Sequence, residues 1–325
     1  MRLPSFRTAV LLVLAATAAG CERTDPPAAV SASRTAPPSA AAAPPPLTEQ
    51  TVAIQADTVL LIGPTKRFKT TDSTVVIDGT GKFLIPGLWD MHSHAYGYEQ
   101  HAFPLFIANG VTGVRDMSSD LGISLWLRES VREGRLVGPE FLITGPTLDA
   151  QYLLRAIQGT PYAEAREAGD DTAYAVAMVD SLAGVKVDGI KVHSLTPRAA
   201  YFTILAAAKR HGIPVVGHVP ESVSVREAIE AGQRTIEHNT RVELAMTPRG
   251  EELSAWALRL SQVFFDRHRA LPIVGPLFGL RLAVADSAMA SYDSATAYAF
   301  GRFAAERPVW FDPTLVVMES VFRVD

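Results

Sequence analysis

The stretch "FLIPGLWDMHSH", residues 83–94, decides how the rest of the sequence is interpreted. A short apolar run, typical of a buried strand, ends there in polar residues that include His92 and His94. Because side chains two residues apart on a strand point to the same face, these two histidines can aim their rings at one point. Imidazole is a common ligand of zinc and similar divalent metals, so the pair suggests part of a metal site.

Three later segments repeat the pattern of a short apolar run with a basic residue in it or at its end. They are "GIKVHS" with Lys191, "VVGHV" with His218 and "TIEHN" with His238. A single histidine at a strand end is more often a hydrogen-bonded structural residue than a ligand. Four histidines at successive strand ends, all on one predicted face, are harder to explain without a shared site.

The spacing of strand-like and helical segments predicts an α/β fold. Strand-like runs alternate with helical stretches, and a long, mostly helical excursion covers 241–306. Such alternation indicates parallel β/α units with the sheet buried on both faces. We expect an incomplete (β/α)8 barrel with strands one to seven, whose chemistry lies at the carboxyl ends of the strands. The predicted strands lie in residues 87–94, 110–117, 139–145, 187–194, 213–219, 234–239 and 308–315.

The first 86 residues predict a secreted, anchored leader and a small β-unit. Residues 1–21 combine arginines, an apolar stretch and a final "AAGC", which indicates a lipoprotein signal peptide that ends at a lipidated Cys21. An ordinary secretory signal with a chance cysteine is the alternative. Residues 22–47 are rich in Pro, Ala and Ser and predict a disordered linker, and residues 48–86 predict a partial β-sandwich. We therefore expect a periplasm-facing lipoprotein of the bacterial envelope, at the outer membrane because Glu22 follows the cysteine.

Composition narrows the possible partners. The net charge is −4 and Cys21 is the single cysteine of the chain. Without a basic excess, nucleic acid is not an expected partner, so we expect a small-molecule substrate and membrane contact through the lipid alone. Without a second cysteine, no disulfide and no thiolate site can form in the folded body.

Together, "FLIPGLWDMHSH", "GIKVHS", "VVGHV" and "TIEHN" resemble the metal-dependent amidohydrolase superfamily, in its imidazolonepropionase-like and Xaa-Pro-dipeptidase-like branch. The resemblance runs from about residue 50 to the end of the chain. It implies a barrel with one or two divalent metals, usually zinc. His92 and His94 would bind the more buried metal, His218 and His238 would bind the second, and Lys191 would be carboxylated and bridge the two.

A physical argument supports a modified Lys191. A protonated lysine is a poor neighbour for metal cations, whereas its carbamate is an anionic bidentate ligand. A plain lysine that pairs with a carboxylate or binds substrate is the alternative. Two metals predict hydrolysis of a C–N bond in an amide, peptide or cyclic amide. A mononuclear deaminase and a non-catalytic metal-binding lipoprotein remain the competing hypotheses.

The resemblance also implies a catalytic aspartate at the end of an eighth strand, in a "GTD" or "GSD" phrase. Neither phrase follows the sixth strand-like run, so we assign no catalytic residue and expect a chain that is truncated before strand eight. Loss of the catalytic group is the alternative. Asp312, inside the seventh run, does not fit the role. We interpret Arg115 and Asp116 as a buried structural pair, and His193 as either a substrate contact or a structural residue.

Overall fold

The computed structural model describes residues 9–14, 45–94, 99–148, 172–267 and 274–316. Two compact units are present, Met1–Pro86 and Gly87–Asp325. No helix within the described residues is both long and apolar enough to cross a bilayer.

The first unit contains a four-stranded sheet in the order β3-β2-β1-β4. Strand β2 pairs antiparallel with β3 and with β1, and β1 pairs parallel with β4. Three of the strands lie within residues 48–86, for which the sequence predicts a partial β-sandwich, and β1 lies within the predicted signal peptide. Cys21 and residues 22–44 lie outside the described residues, so the lipid anchor stays a prediction. The strands are β1 (Ala9–Leu14), β2 (Gln50–Gln55), β3 (Thr58–Pro64) and β4 (Thr74–Asp78), and a short 3-10 helix covers Thr65–Arg67.

Within its described residues, the second unit contains seven parallel strands at the predicted positions. They form two sheets, β5-β6-β7 and β8-β9-β10-β11, and every strand pairing within them is parallel. The mixed α/β fold class with parallel strands is thereby confirmed. The strands are β5 (Leu88–Ser93), β6 (Val111–Asp116), β7 (Glu140–Ile143), β8 (Ile190–Val192), β9 (Val215–Gly217), β10 (Thr235–Glu237) and β11 (Trp310–Asp312).

Helices separate the strands and cover the sheets. Buried side chains from β6 to β10 and from the intervening helices form one core, in which Phe141, Ile190, Tyr201 and Ile236 are almost fully enclosed. The helices are α1 (Glu99–Ala108), α2 (Leu121–Arg132), α3 (Thr172–Gly184), α4 (Arg198–His211), α5 (Val225–Glu230), α6 (Gly250–Arg267), α7 (Val274–Ala290) and α8 (Ser294–Ala305), with a 3-10 turn at Glu243–Met246.

Backbone hydrogen bonds connect the two sheets. The Asp188 N–H donates to the Ile143 carbonyl at 2.8 Å, and the Leu148 N–H donates to the Lys191 carbonyl at 3.1 Å. The seven strands therefore follow one another in chain order, as they do in a (β/α)8 barrel. Within the part of the chain that the structure describes, no strand pairs with the outer edge of β5 or of β11.

Glycine at position 217 lets β8 and β9 approach closely. Gly217 has a φ of 123°, and a Cβ built there would lie 2.1 Å from the Val192 carbonyl oxygen. Only glycine tolerates both the left-handed conformation and this contact. The position immediately precedes His218, so the close approach sets where that ring lies relative to Lys191 on the neighbouring strand.

Candidate metal centre

The structure brings all five predicted ligands together at the carboxyl ends of the strands. The ring centroid of His92 lies 5.2 Å from that of His94 and 4.5 Å from that of His238. The rings of His218 and His238 lie 4.9 Å apart. Lys191 is only 3% exposed in the middle of β8, and its charge acts on His94, His218 and His238. The five side chains therefore form one cluster.

Hydrogen bonds hold three of the four rings through Nδ1. His92 Nδ1 lies 2.8 Å from Glu237 Oε2, His218 Nδ1 lies 2.8 Å from Ser194 Oγ, and His238 Nδ1 lies 2.6 Å from Thr314 Oγ1. The Thr314 hydroxyl donates to the Pro313 carbonyl, so it accepts from His238. Such contacts fix the tautomer and orientation of metal-binding imidazoles, because Nε2 is then the nitrogen with a free lone pair.

Glu237 connects this cluster to a buried arginine. Its carboxylate is fully enclosed and accepts from Arg115 Nη2 at 2.7 Å, from the Thr235 hydroxyl and from His92. Burial raises the pKa of Glu237, but the hydrogen bond from His92 and the charge of Arg115 outweigh it, and the net pKa lies below its usual range. The ionised carboxylate can only accept, so His92 carries its proton on Nδ1.

The predicted pairing of Arg115 with Asp116 is wrong. Arg115 binds Glu237, 122 residues away, and its Nε also donates to the Met91 carbonyl at 2.7 Å. Asp116 instead accepts hydrogen bonds from Ser119 at 2.7 Å and Ser124 at 3.1 Å, and burial raises its pKa. Consecutive residues on a strand point to opposite faces, which is why the two side chains have different partners.

The electrostatic environment keeps three of the imidazoles neutral. Burial lowers the pKa of His94, lowers that of His218 well below its usual value, and lowers that of His238 to about 4. Nearby His92, His193 and Lys191 act in the same direction. Because a metal binds the unprotonated ring, this environment suits metal ligands at neutral pH.

Sequence reasoning assigned neither Glu237 nor Asp312 to this cluster. The ligand atoms of His92, Glu237 and Asp312 all lie within 4.8 Å of one another. Asp312 Oδ2 is buried, makes no hydrogen bond among the described residues, and lies 3.8 Å from Arg115 Nη2. The Glu237 carboxylate already accepts hydrogen bonds from three donors, so we assign it the role of orienting His92. Asp312, in contrast, has an oxygen atom that accepts no hydrogen bond. Asp312 therefore belongs to the site, although sequence reasoning set it aside.

His193 also lies at the candidate metal centre. Its ring stacks on that of His218 with centroids 4.0 Å apart and an interplanar angle of 32°. Its backbone N–H donates to Thr196 Oγ1 at 3.1 Å. The sequence signal for this position was its place two residues after Lys191, on the same face of the strand.

Parallel strands with imidazoles, a lysine and a carboxylate at their carboxyl ends define a barrel-type protein with a candidate metal centre. The model of the amidohydrolase family matches residues 83–256, which is more than half of the chain. The chain belongs to the amidohydrolase family, and the resemblance seen in its sequence motifs is confirmed. No curated protein matches the chain.

Two solved structures share the fold at low identity. A Xaa-Pro dipeptidase with methionine in its active site is 17% identical, with a TM-score of 0.56, over 94% of this chain and 79% of that one. The ochratoxinase of A. niger is also 17% identical, with a TM-score of 0.52, over 98% of this chain and 80% of that one. Phenylurea hydrolase B is 17% identical, with a TM-score of 0.47, over 58% of this chain. This chain spans 55% of that structure's length.

Proposed function

We propose that the protein is a metal-dependent hydrolase of C–N bonds in small molecules, acting on an amide, a peptide or a cyclic amide. One observation carries the proposal: four imidazoles converge with Lys191 at the carboxyl ends of the strands, and three of their Nδ1 atoms are already held by the protein. Family membership and the name of one structural relative, a Xaa-Pro dipeptidase, support the same bond type.

The donor set fits a pair of divalent metals, for which zinc is our proposal. His92 and His94 would hold one, His218 and His238 the other, and Lys191 would bridge them as a carbamate. When bound, such metals polarise a carbonyl and lower the pKa of a coordinated water. A protonated Lys191 opposes the charge on three imidazoles, whereas a carbamate would favour cations there.

The protein's own groups orient and support this site. The Glu237 carboxylate takes the Nδ1 hydrogen bond of His92 and is itself fixed by Arg115. The hydroxyls of Ser194 and Thr314 do the same for His218 and His238. Proton transfer to the leaving amine is assigned to no described residue, since the resemblance places it on an aspartate after an eighth strand.

An assay of amine release with and without a chelator tests this function. Dipeptides, N-acyl amino acids and cyclic amides form the substrate panel, and the variants are His94→Asn and, as the matched control, His211→Asn. His211 is exposed and contacts Asp180, so it lies outside the cluster. We expect turnover that the chelator and His94→Asn abolish and that His211→Asn preserves. Turnover that persists in excess chelator contradicts metal dependence.

The assay also separates the competing hypotheses. Ammonia release with one metal per chain indicates the mononuclear deaminase. Bound metal without turnover of any substrate indicates a non-catalytic metal-binding protein.

We further propose that the protein is an outer-membrane lipoprotein anchored through Cys21. The leader sequence and the Pro/Ala-rich segment after it support this location. Growth with labelled palmitate tests it, with Cys21→Ala as the comparison. Label in the wild-type chain that disappears in the variant is the expected result, and an unlabelled wild-type chain contradicts the anchor.

A further inference from the structure

A buried carboxylate oxygen without a hydrogen bond lies close to His92. Asp312 is the last residue of β11, and its Oδ2 atom is enclosed and accepts no hydrogen bond from any described residue. The ligand atoms of Asp312, His92 and Glu237 all lie within 4.8 Å of one another. A buried acceptor without a donor is unfavourable, so this oxygen requires a partner that the described side chains do not supply.

The nearest cation, Arg115, is committed to other acceptors. Its Nη2 atom lies 3.8 Å from Asp312 Oδ2, which is too long for a hydrogen bond. The Arg115 guanidinium donates instead to the Met91 carbonyl, the Thr235 hydroxyl and the Glu237 carboxylate. Arg115 therefore attracts Asp312 without satisfying its Oδ2 atom.

The charges of this group favour a cation as the missing partner. One guanidinium, that of Arg115, lies between the carboxylates of Glu237 and Asp312. When both carboxylates are ionised, the three side chains together carry one negative charge. A divalent cation beside Asp312 would balance that charge, whereas an anion would be repelled.

A cavity gives ions and water a path to this oxygen. The cavity has a volume of about 870 Å³ and is lined by residues of the two outer strands, β5 and β11, including Trp89, His92 and Asp312. The neighbouring ligand is also in place, because Glu237 accepts a hydrogen bond from His92 Nδ1 and so leaves the lone pair of Nε2 free. A suitable donor, a supported neighbour and an entry path are the features that a metal ligand requires.

We propose that Asp312 Oδ2 is a ligand of the metal that His92 and His94 would hold. This inference rests on the proposed metal-dependent function. Two imidazoles and one carboxylate form a donor set of catalytic zinc sites, in which the fourth position is open to water. Asp312 would thereby give this metal an anionic protein ligand whether or not Lys191 is modified.

The zinc affinity of Asp312→Asn tests the proposal without any need for turnover. Asparagine keeps the shape of the side chain, and its oxygen can still accept the hydrogen bond that Asp312 Oδ1 accepts from the Thr314 N–H. The metal-free chain is titrated with zinc in competition with a fluorescent zinc indicator. We expect one zinc ion to bind at least about 10-fold more weakly to Asp312→Asn than to the wild-type chain.

Asp188→Asn is the matched control. Asp188 also accepts a hydrogen bond from an arginine, since Arg128 Nη1 lies 3.2 Å from its Oδ2. It precedes β8, however, and therefore lies at the amino end of the strand, away from the cluster. Its zinc affinity should equal that of the wild-type chain. Equal zinc affinity in wild type and Asp312→Asn overturns the proposal.

Unfolding temperatures separate a ligand from a purely structural residue. In chelator, Asp312→Asn should unfold at the same temperature as the wild-type chain, because Oδ2 has no hydrogen bond to lose. In zinc, the variant should be stabilised less than the wild type, since a ligand that binds the folded state raises its stability according to its affinity. An equal increase in zinc for both chains contradicts the proposal.

A crystal structure of the zinc-loaded wild-type chain keeps the test decisive even if Asp312→Asn does not fold. We expect Asp312 Oδ2 to lie about 2.0–2.2 Å from a zinc ion. An Oδ2 atom that contacts only water overturns the proposal. Zinc bound through Asp312 in a chain without turnover leaves the ligand standing and rejects the hydrolase. Metal-dependent turnover with a zinc affinity that Asp312→Asn does not change rejects the ligand alone.

Discussion

Two equally buried arginines behave in opposite ways in this protein. Arg115 and Arg241 are each 7% exposed. Arg115 donates three side-chain hydrogen bonds, to Met91, Thr235 and Glu237. Arg241 makes none within the described residues, although it lies beside a cavity. A satisfied buried charge is part of a scaffold, here the one that orients His92. The charge of Arg241 instead interacts with nearby glutamates, among them Glu221 and Glu243, and its Nε makes no hydrogen bond.

The most demanding test of this comparison replaces each arginine by methionine. Arg115→Met leaves the Glu237 carboxylate buried without its cation, so we expect a loss of about 3–5 kcal/mol in the free energy of unfolding. Arg241→Met removes an arginine that makes no side-chain hydrogen bond within the described residues, so we expect its loss to be smaller. Urea denaturation of both variants with the wild-type chain measures the difference. Similar losses in the two variants would show that Arg241 also has a structural role.

A smaller loss of stability is expected at Gly217, where the backbone sets the position of the predicted metal ligand His218. Gly217→Ala forces both a left-handed conformation and a clash with the Val192 carbonyl, so we expect a loss of about 2–3 kcal/mol. Gly212→Ala is the control, because Gly212 is also left-handed but has open space around it. Its cost should be about 1–2 kcal/mol. Equal costs in denaturation experiments would mean that the strand contact does not constrain the cluster.

The smallest effect concerns the ion pair of Arg198 with Glu227, which lines the cavity beside Arg241. The hydrogen bond from Arg198 lowers the pKa of Glu227 to about 2. A lowered folded pKa contributes stability above the unfolded value, near 4.5, and that contribution is lost as the pH falls toward 2. The pair is partly exposed, so Glu227→Gln should cost less than about 1 kcal/mol at pH 7.

The pH dependence of that cost is the measurement. The difference between Glu227→Gln and the wild-type chain should shrink as the pH falls from 4.5 to 2, because protonated Glu227 resembles glutamine. Glutamine can also keep the capping box with Ser224, so the helix itself should be unaffected. A difference that stays constant with pH would indicate lost packing rather than lost charge.

Sequence alone predicted the order of the strands and the five clustered basic residues. Local signals are sufficient there, because apolar runs and nearby glycines mark the strands and their ends. The functional side chains of such a sheet also lie together, at the carboxyl ends of its strands. The partnership of Arg115 with Glu237 could not be predicted, since it joins residues 122 apart that adjoin only once β6 and β10 have folded. Asp312 and Arg241 were missed for a related reason. Their significance lies in single buried atoms without a hydrogen bond, Asp312 Oδ2 and Arg241 Nε, which a sequence does not display.

The zinc content of the chain tests the central claim most directly. The protein is stripped with a chelator, dialysed against dilute zinc and analysed by atomic emission. We predict about two zinc ions per wild-type chain, as a two-metal site requires. About one should be lost in His94→Asn and in His238→Asn, and none in His211→Asn. A wild-type chain without stoichiometric zinc, or variants that bind as much as the wild type, would contradict a metal centre built from these residues.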